Sequence, residues 1–137
     1  TPLIVHWPAG LKSQGELRHA PSHIIDVAPT CLSVAGLSVK GMEGESLLPV
    51  FVRDSKKERT LYWEHEGNRA VRKGNYKLVA MHDTPWELYD MNKDRSELND
   101  LSKKMRGKAK ELRLLYEAWA KRVGALPWNK VVSTRKK

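Results

Sequence analysis

The 137-residue chain carries one cysteine, Cys31, so no disulfide can form within it. Its apolar neighbours Leu32, Val34 and Ala35 predict a buried, inert thiol, because nothing nearby would lower its pKa enough to make a nucleophile. Long hydrophobic runs are missing too. No stretch approaches the roughly 20 apolar residues that a membrane-crossing helix needs, so no membrane span is expected. There is no signal-peptide pattern, and the chain opens on Thr1 inside a strand-like run, which suggests a cut from something larger. No internal repeat is evident. The Gly-x-Ser-x-Gly setting of an esterase serine is also absent, so the grouping of Ser22, His23 and Asp26 is not read as a triad.

Acidic residues run short in one region only. Residues 1–101 hold 13 Lys/Arg against 14 Asp/Glu, whereas residues 102–137 hold 12 against 2. The formal charge of +9 therefore belongs to the last helix and the tail behind it, not to the fold as a whole. Such a block is usually a solvated face. The alternative is a non-catalytic basic module that binds polyanions, nucleic acid or sulfated glycan, through the 103–137 helix and tail. No nucleic-acid motif accompanies it, so no nucleic-acid partner is expected. A membrane-surface helix would leave Leu112 and Trp119 exposed.

What is present is a change of period along the chain. Leu3 to Trp7 is a nearly continuous apolar run closed by Pro8 and Gly10, the pattern of a strand buried on both faces of a parallel sheet. The chain holds no second run of this kind. Asp26 stands where a helix N-cap would, ahead of an apolar run that Gly36 stops, and Ser46 to Val52 predicts a further helical turn. Four segments rich in aromatic and β-branched residues then read as a meander: Thr60–Glu64, Arg69–Arg72, Tyr76–Ala80 and Trp86–Tyr89, with a turn over Asp90–Asp94. From about Lys104 to Val123 the spacing of Met105, Ala109, Leu112, Tyr116, Trp119 and Val123 makes one apolar stripe on a helix, which Gly124 and Pro127 end. Trp63, Trp86 and Trp119 are expected to fill the space between sheet and helix. Residues 129–137 read as a loose basic tail.

Four stretches, in order, resemble the C-terminal part of a sulfatase of the arylsulfatase type, in the alkaline-phosphatase-like superfamily. They are Thr1-Pro-Leu-Ile-Val-His-Trp-Pro-Ala-Gly10, Ile25-Asp-Val-Ala-Pro-Thr30 with Ala35-Gly36, Gly44-Glu-Ser-Leu-Leu-Pro49, and the run from Leu61 to Asp90 continuing through Trp128. Each motif alone is weak; their order and spacing carry the resemblance. It implies an α+β chain: the last strand and helix of an α/β domain (1–55), followed by a four-stranded antiparallel sheet packed with one long C-terminal helix (56–128) and a basic tail (129–137). It implies an intact protein that hydrolyses sulfate esters, periplasmic or extracellular. Formylglycine and calcium belong to that intact enzyme. The Cys/Ser-x-Pro-x-Arg motif that yields formylglycine is not in this chain, since Cys31 is followed by Leu32, Ser33 and Val34. The chain alone is therefore expected to be inactive, to complete the fold, and to border the substrate pocket. Its expected partners are the missing N-terminal sulfatase domain in cis and a sulfated small molecule or glycan, with a dimer possible through the exposed first strand and helix.

Within the chain, the turn Glu64-His65-Glu66-Gly67-Asn68-Arg69 is the best candidate for a site. A hairpin end presenting His65, Asn68 and Arg69 places donors and a titratable group where a sulfated substrate would meet them, and these three are the predicted substrate-binding residues. The plain reading is a polar hairpin whose Gly67-Asn68 only sets the turn. Metal binding is not expected there, because His65 with Glu64 and Glu66 lacks the ligand spacing of a zinc site. His6, His19, His23 and His82 are scattered and read as core or surface residues. Arg69, Arg72 and Lys73 could face either an anionic substrate or water.

Overall fold

Alternating aromatic, β-branched and polar residues from Thr60 onward fold into a four-stranded antiparallel sheet. Its strands are β1 (Thr60–His65), β2 (Asn68–Lys73), β3 (Tyr76–Ala80) and β4 (Glu87–Asp90), ordered β1-β2-β3-β4. The computed structural model describes residues 2–12, 15–55 and 57–135, and the chain divides into two units, one running to Lys57 and one starting at Glu58.

In the second unit the register sets Tyr62 opposite Val71, Val71 opposite Leu78, and Leu78 opposite Leu88. These side chains share one face and make an apolar row across all four strands. The helix α3 (Arg106–Val123) lies over that row, with Leu112 and Tyr116 buried and Met105, Ala109 and Trp119 packed around them. Tyr62 stacks on Trp119 at 5.0 Å between ring centroids, and Trp86 meets Tyr116 edge-on at 5.4 Å. Geometry of this kind adds to what area burial alone supplies. Val123, the last residue of the predicted stripe, is exposed, because the apolar row ends at Trp119 and Ala120. Trp63 also departs from expectation. Tyr62 takes the place beneath the helix, and strand alternation sends Trp63 to the other face with Leu61. Before α3, the Asp94 carboxylate accepts from the Leu98 and Asn99 amides and Asp100 from the Leu88 and Ser102 amides, which fixes the approach to the helix.

Two further corrections concern turns and ends. The β1–β2 hairpin turns on Glu66-Gly67, both at positive φ, one residue earlier than Gly67-Asn68. That is the conformation of a type I′ loop, which glycine adopts freely and glutamate does not. Beyond Gly124 the basic segment is not a loose tail. It forms the helix α4 (Trp128–Arg135), with the Pro127 carbonyl accepting from the Lys130 and Val131 amides. The proline that ends one helix opens the next.

The first unit contains a 3-10 turn (Ile24–Asp26), α1 (Val27–Val34) and α2 (Leu48–Val52). Leu3 to Trp7 forms no strand here. Leu3 and Ile4 are exposed, and no described residue offers them a neighbouring strand. Cys31 is exposed rather than buried, because α1 turns Val27, Cys31 and Val34 to one solvent-facing stripe. Asp26 does not cap α1 with its side chain. It belongs to a capping box one turn earlier, accepting the His23 amide at 2.8 Å while His23 Nδ1 accepts the Ile25 amide at 3.2 Å.

Two of the sequence motifs close on each other in this unit. Asp26 Oδ1 accepts the Glu45 amide at 3.0 Å, and Thr30 Oγ1 accepts the Leu47 amide at 2.9 Å while donating to the Asp26 carbonyl. Asp26 and Thr30 are both buried. Gly44 lets the loop in: a Cβ there would fall far inside contact distance of the Ile25 carbonyl, a backbone group that cannot step aside. Gly44→Ala is expected to cost about 1–3 kcal/mol, read as a lowered denaturation midpoint. A midpoint unchanged from the parent protein would refute this close approach.

Candidate functional site

The hairpin end that the sequence singled out splits its residues between two faces. His65 pairs with Asn68, and Glu64 pairs with Arg69, so the pleat places the first pair on one side of the sheet and the second on the side covered by α3. His65 is exposed. Asn68 is committed to backbone at both ends of its amide: Nδ2 donates to the His65 carbonyl at 2.9 Å, and Oδ1 accepts the His82 amide at 3.1 Å. It braces the hairpin against the segment leaving β3. The three predicted residues therefore do not converge on one point.

Arg69 instead lines a cleft of about 320 Å³ on the α3 face, with Glu64, His82, Tyr116, Leu126 and Trp128 among its walls. Its guanidinium lies 4.8 Å from the Trp86 ring centroid, an arrangement attractive to a cation. Its Nε is buried without a hydrogen-bond partner, although buried polar atoms nearly always find one. Burial raises the Tyr116 pKa, the Glu64 charge adds to this, and the Arg69 charge opposes it. The phenol is thus a neutral hydroxyl at ordinary pH. Glu64 Oε1 accepts the Gly67 amide at 3.0 Å, and Asp83 stands 3.3 Å from His82 Nε2. A Cβ on Gly67 would come within 2.7 Å of His82 Nδ1 and 3.0 Å of the Trp128 Cβ, so only glycine allows α4 this close to the turn. The chemistry available is one unpaired guanidinium donor, two carboxylates, an imidazole and aromatic walls.

The sequence alone does not reveal His82, Tyr116 and Trp128 as parts of one place. Each has a sufficient local explanation, as a scattered histidine, a stripe residue and the end of a motif. Other basic candidates have structural duties. Lys73 Nζ pairs with Glu111 at 3.1 Å, and Arg72 Nε donates to the Gly74 carbonyl at 3.1 Å. Among the described residues, no group of three or more His, Cys, Asp or Glu could hold a metal ion. Among the described residues, no helix is long and apolar enough to cross a membrane.

Comparison with known proteins adds the family. The N-acetylglucosamine-6-O-sulfatase of Bacteroides thetaiotaomicron is 33% identical, over 85% of this chain and 24% of its own length. Arylsulfatase K of Danio rerio is 32% identical, over 74% of this chain and 22% of its own. The chain thus spans about a quarter of the length of these relatives. The crystal structure of Ps i-CgsB superposes with a TM-score of 0.70 over 84% of this chain and 27% of that one, at 24% identity. A protein solved in complex with its substrate D-glucosamine-2-N,6-O-disulfate superposes at 0.58, with 27% identity, over 77% of this chain and 25% of that one. The mixed helix-and-sheet fold, with its four-stranded antiparallel sheet, matches these neighbours. The family described as N-sulphoglucosamine sulphohydrolase, C-terminal, matches residues 1–121, and the chain belongs to it as a C-terminal region of a sulfatase.

Proposed function

We propose that the intact protein hydrolyses a sulfate ester on a glucosamine-type sugar, and that this chain completes its fold and borders its substrate pocket. The observation that carries the reading is the family match over residues 1–121. The names of the relatives, a glucosamine sulfatase and a protein bound to a glucosamine disulfate, support the substrate class. His65 is the group of this chain that reaches the reacting sugar, Asn68 holds that edge of the hairpin in place, and Arg69 answers negative charge from the opposite face. Formylglycine and calcium are supplied by the rest of the intact enzyme, which acts in the periplasm or outside the cell. That remainder also covers the exposed Leu3 and Ile4 and the Val27, Cys31 and Val34 stripe. The 137-residue chain by itself is inactive.

In the intact protein, His65→Ala is expected to lower kcat/KM on 6-O-sulfated N-acetylglucosamine by about tenfold, the equivalent of one lost hydrogen bond to a charged group. An unchanged kcat/KM removes His65 from the pocket. Sulfate release by the purified 137-residue chain would overturn the division of labour.

A further inference from the structure

We propose that the exposed side of α3 is a landing surface for a linear sulfated polysaccharide, held by Arg106, Lys110 and Lys121. This rests on the reading that the intact protein acts on sulfated sugars, and it adds a surface that holds the polymer rather than the reacting sulfate.

The helical repeat puts Arg106, Lys110, Arg113, Glu117 and Lys121 within about 80° of one another around the α3 axis. The row is turned about 120° from Leu112 and Tyr116, which face the sheet. All five residues are exposed, and the row runs for about 22 Å at the rise of an α-helix. Residues 102–137 hold two carboxylates, Glu111 and Glu117, and both already meet cations of the chain. Glu111 pairs with Lys73 and Lys108, and Glu117 pairs with Arg113 at 3.3 Å. Among the described residues, Arg106, Lys110 and Lys121 form no ion pair. Three uncompensated cations therefore stand in file, with Lys103 and Lys104 exposed just ahead of them. No acidic residue of the chain occupies the first turn of α3 to offset this charge, so the row gains from an anion brought from outside.

What the row lacks chooses among polyanions. A membrane-surface helix offers a broad apolar face beside its cations, whereas the apolar face of α3 is spent on the sheet and leaves Leu114 beside the row. Single-stranded nucleic acid needs aromatic platforms for its bases, and Tyr116 and Trp119 are packed into the core. The phosphates of a duplex spiral away from a straight row, so a duplex meets fewer of its cations at once. A protein partner needs an aromatic or apolar anchor at the centre of its contact, and the middle of the row is the Arg113–Glu117 pair. A sulfated polysaccharide asks for none of these. It is a single chain of strong acids, and cations spaced along a line bind it by charge-assisted hydrogen bonds and the release of its counterions.

The test is calorimetric titration of the intact protein with heparin, as the sulfated polysaccharide, at about 50 and 200 mM salt. Arg106→Glu, Lys110→Glu and Lys121→Glu together are expected to weaken heparin binding at least about tenfold and to flatten its salt dependence. Changing the same three positions to Gln gives a second variant with a smaller loss, which serves where charge reversal harms folding. Lys12→Glu, Lys40→Glu and Lys93→Glu, at exposed positions elsewhere, change the net charge equally and are expected to leave binding within about twofold. An equal loss in this control, or unchanged binding in both folded row variants, overturns the surface. So does tighter binding of a DNA duplex or of phosphatidylserine vesicles at the same salt. The readout involves no hydrolysis. A parent protein that binds heparin through the row and releases no sulfate keeps the surface and loses the sulfatase reading; one that releases sulfate and does not bind heparin does the reverse.

Discussion

Leu112→Ala is expected to destabilise the unit from Glu58 onward by about 2–5 kcal/mol, the range for a buried leucine whose cavity cannot collapse. Leu112 is fully buried in the middle of α3, against Val71, Leu78 and Leu88, which are fully buried as well. These three are held in register by strand pairing on both sides or, for Leu88, on one side and by the Leu101 amide bonded to its carbonyl. The sheet therefore cannot move up to fill the space that the lost side chain leaves. Chemical denaturation checks this, with the midpoint falling and the slope unchanged. Leu114→Ala, two residues away on the exposed side of the same helix, is the control and should stay within about 0.5 kcal/mol. Similar losses at both positions would mean that α3 is not seated on the sheet.

Asp26→Ala should cost about 3 kcal/mol or more in the other unit, because the substitution strips two part-buried amides of a charged acceptor. The carboxylate is fully buried and accepts the His23 amide at 2.8 Å and the Glu45 amide at 3.0 Å. Hydrogen bonds to a charged group contribute about 1.5–3 kcal/mol each, and removing the acceptor leaves both amides unpaired in a partly dry site. The loss should be seen locally as much as globally. Hydrogen exchange at the Glu45 and Leu47 amides should speed up together, because the loop at Gly44–Pro49 is held by Asp26 and Thr30 in parallel. Asp26→Asn, which keeps an acceptor oxygen, should fall between parent and alanine variant. Unchanged exchange at Glu45 in the alanine variant would show that the loop holds itself.

Much of the second unit is legible in the sequence. Strand alternation marks its own limits, so the pattern places β3 to the residue and the other strands within one or two. The helix stripe predicts the burial of Leu112 and Tyr116 for the same reason. Which of two adjacent aromatics lies beneath the helix is not legible. Tyr62 and Trp63 suit either face, and the choice follows from pairing with Val71, which no local pattern encodes. In the first unit the sequence misleads at residues that read as buried and stand exposed. Leu3 to Trp7 and Cys31 have the composition of buried residues, and composition reports what a segment would do beside neighbours. The cleft is illegible for a further reason. Its walls come from residues 64 to 129, and it exists only because a hairpin, a helix and the turn at Pro127 end at the same edge. Arg69 sits in a visible motif and can be found there; His82 and Trp128 carry no signal of their own.

Every strand pairing in the sheet joins neighbours in sequence, β1 with β2, β2 with β3 and β3 with β4. Short loops close with little loss of chain entropy, so such a meander assembles faster than a sheet of crossed connections. On a ribosome each hairpin can zip as soon as its second strand emerges, in the order of synthesis, with an open apolar face waiting for α3. The interval between β4 and that helix is the period in which a nascent chain of this kind most needs shelter from its neighbours.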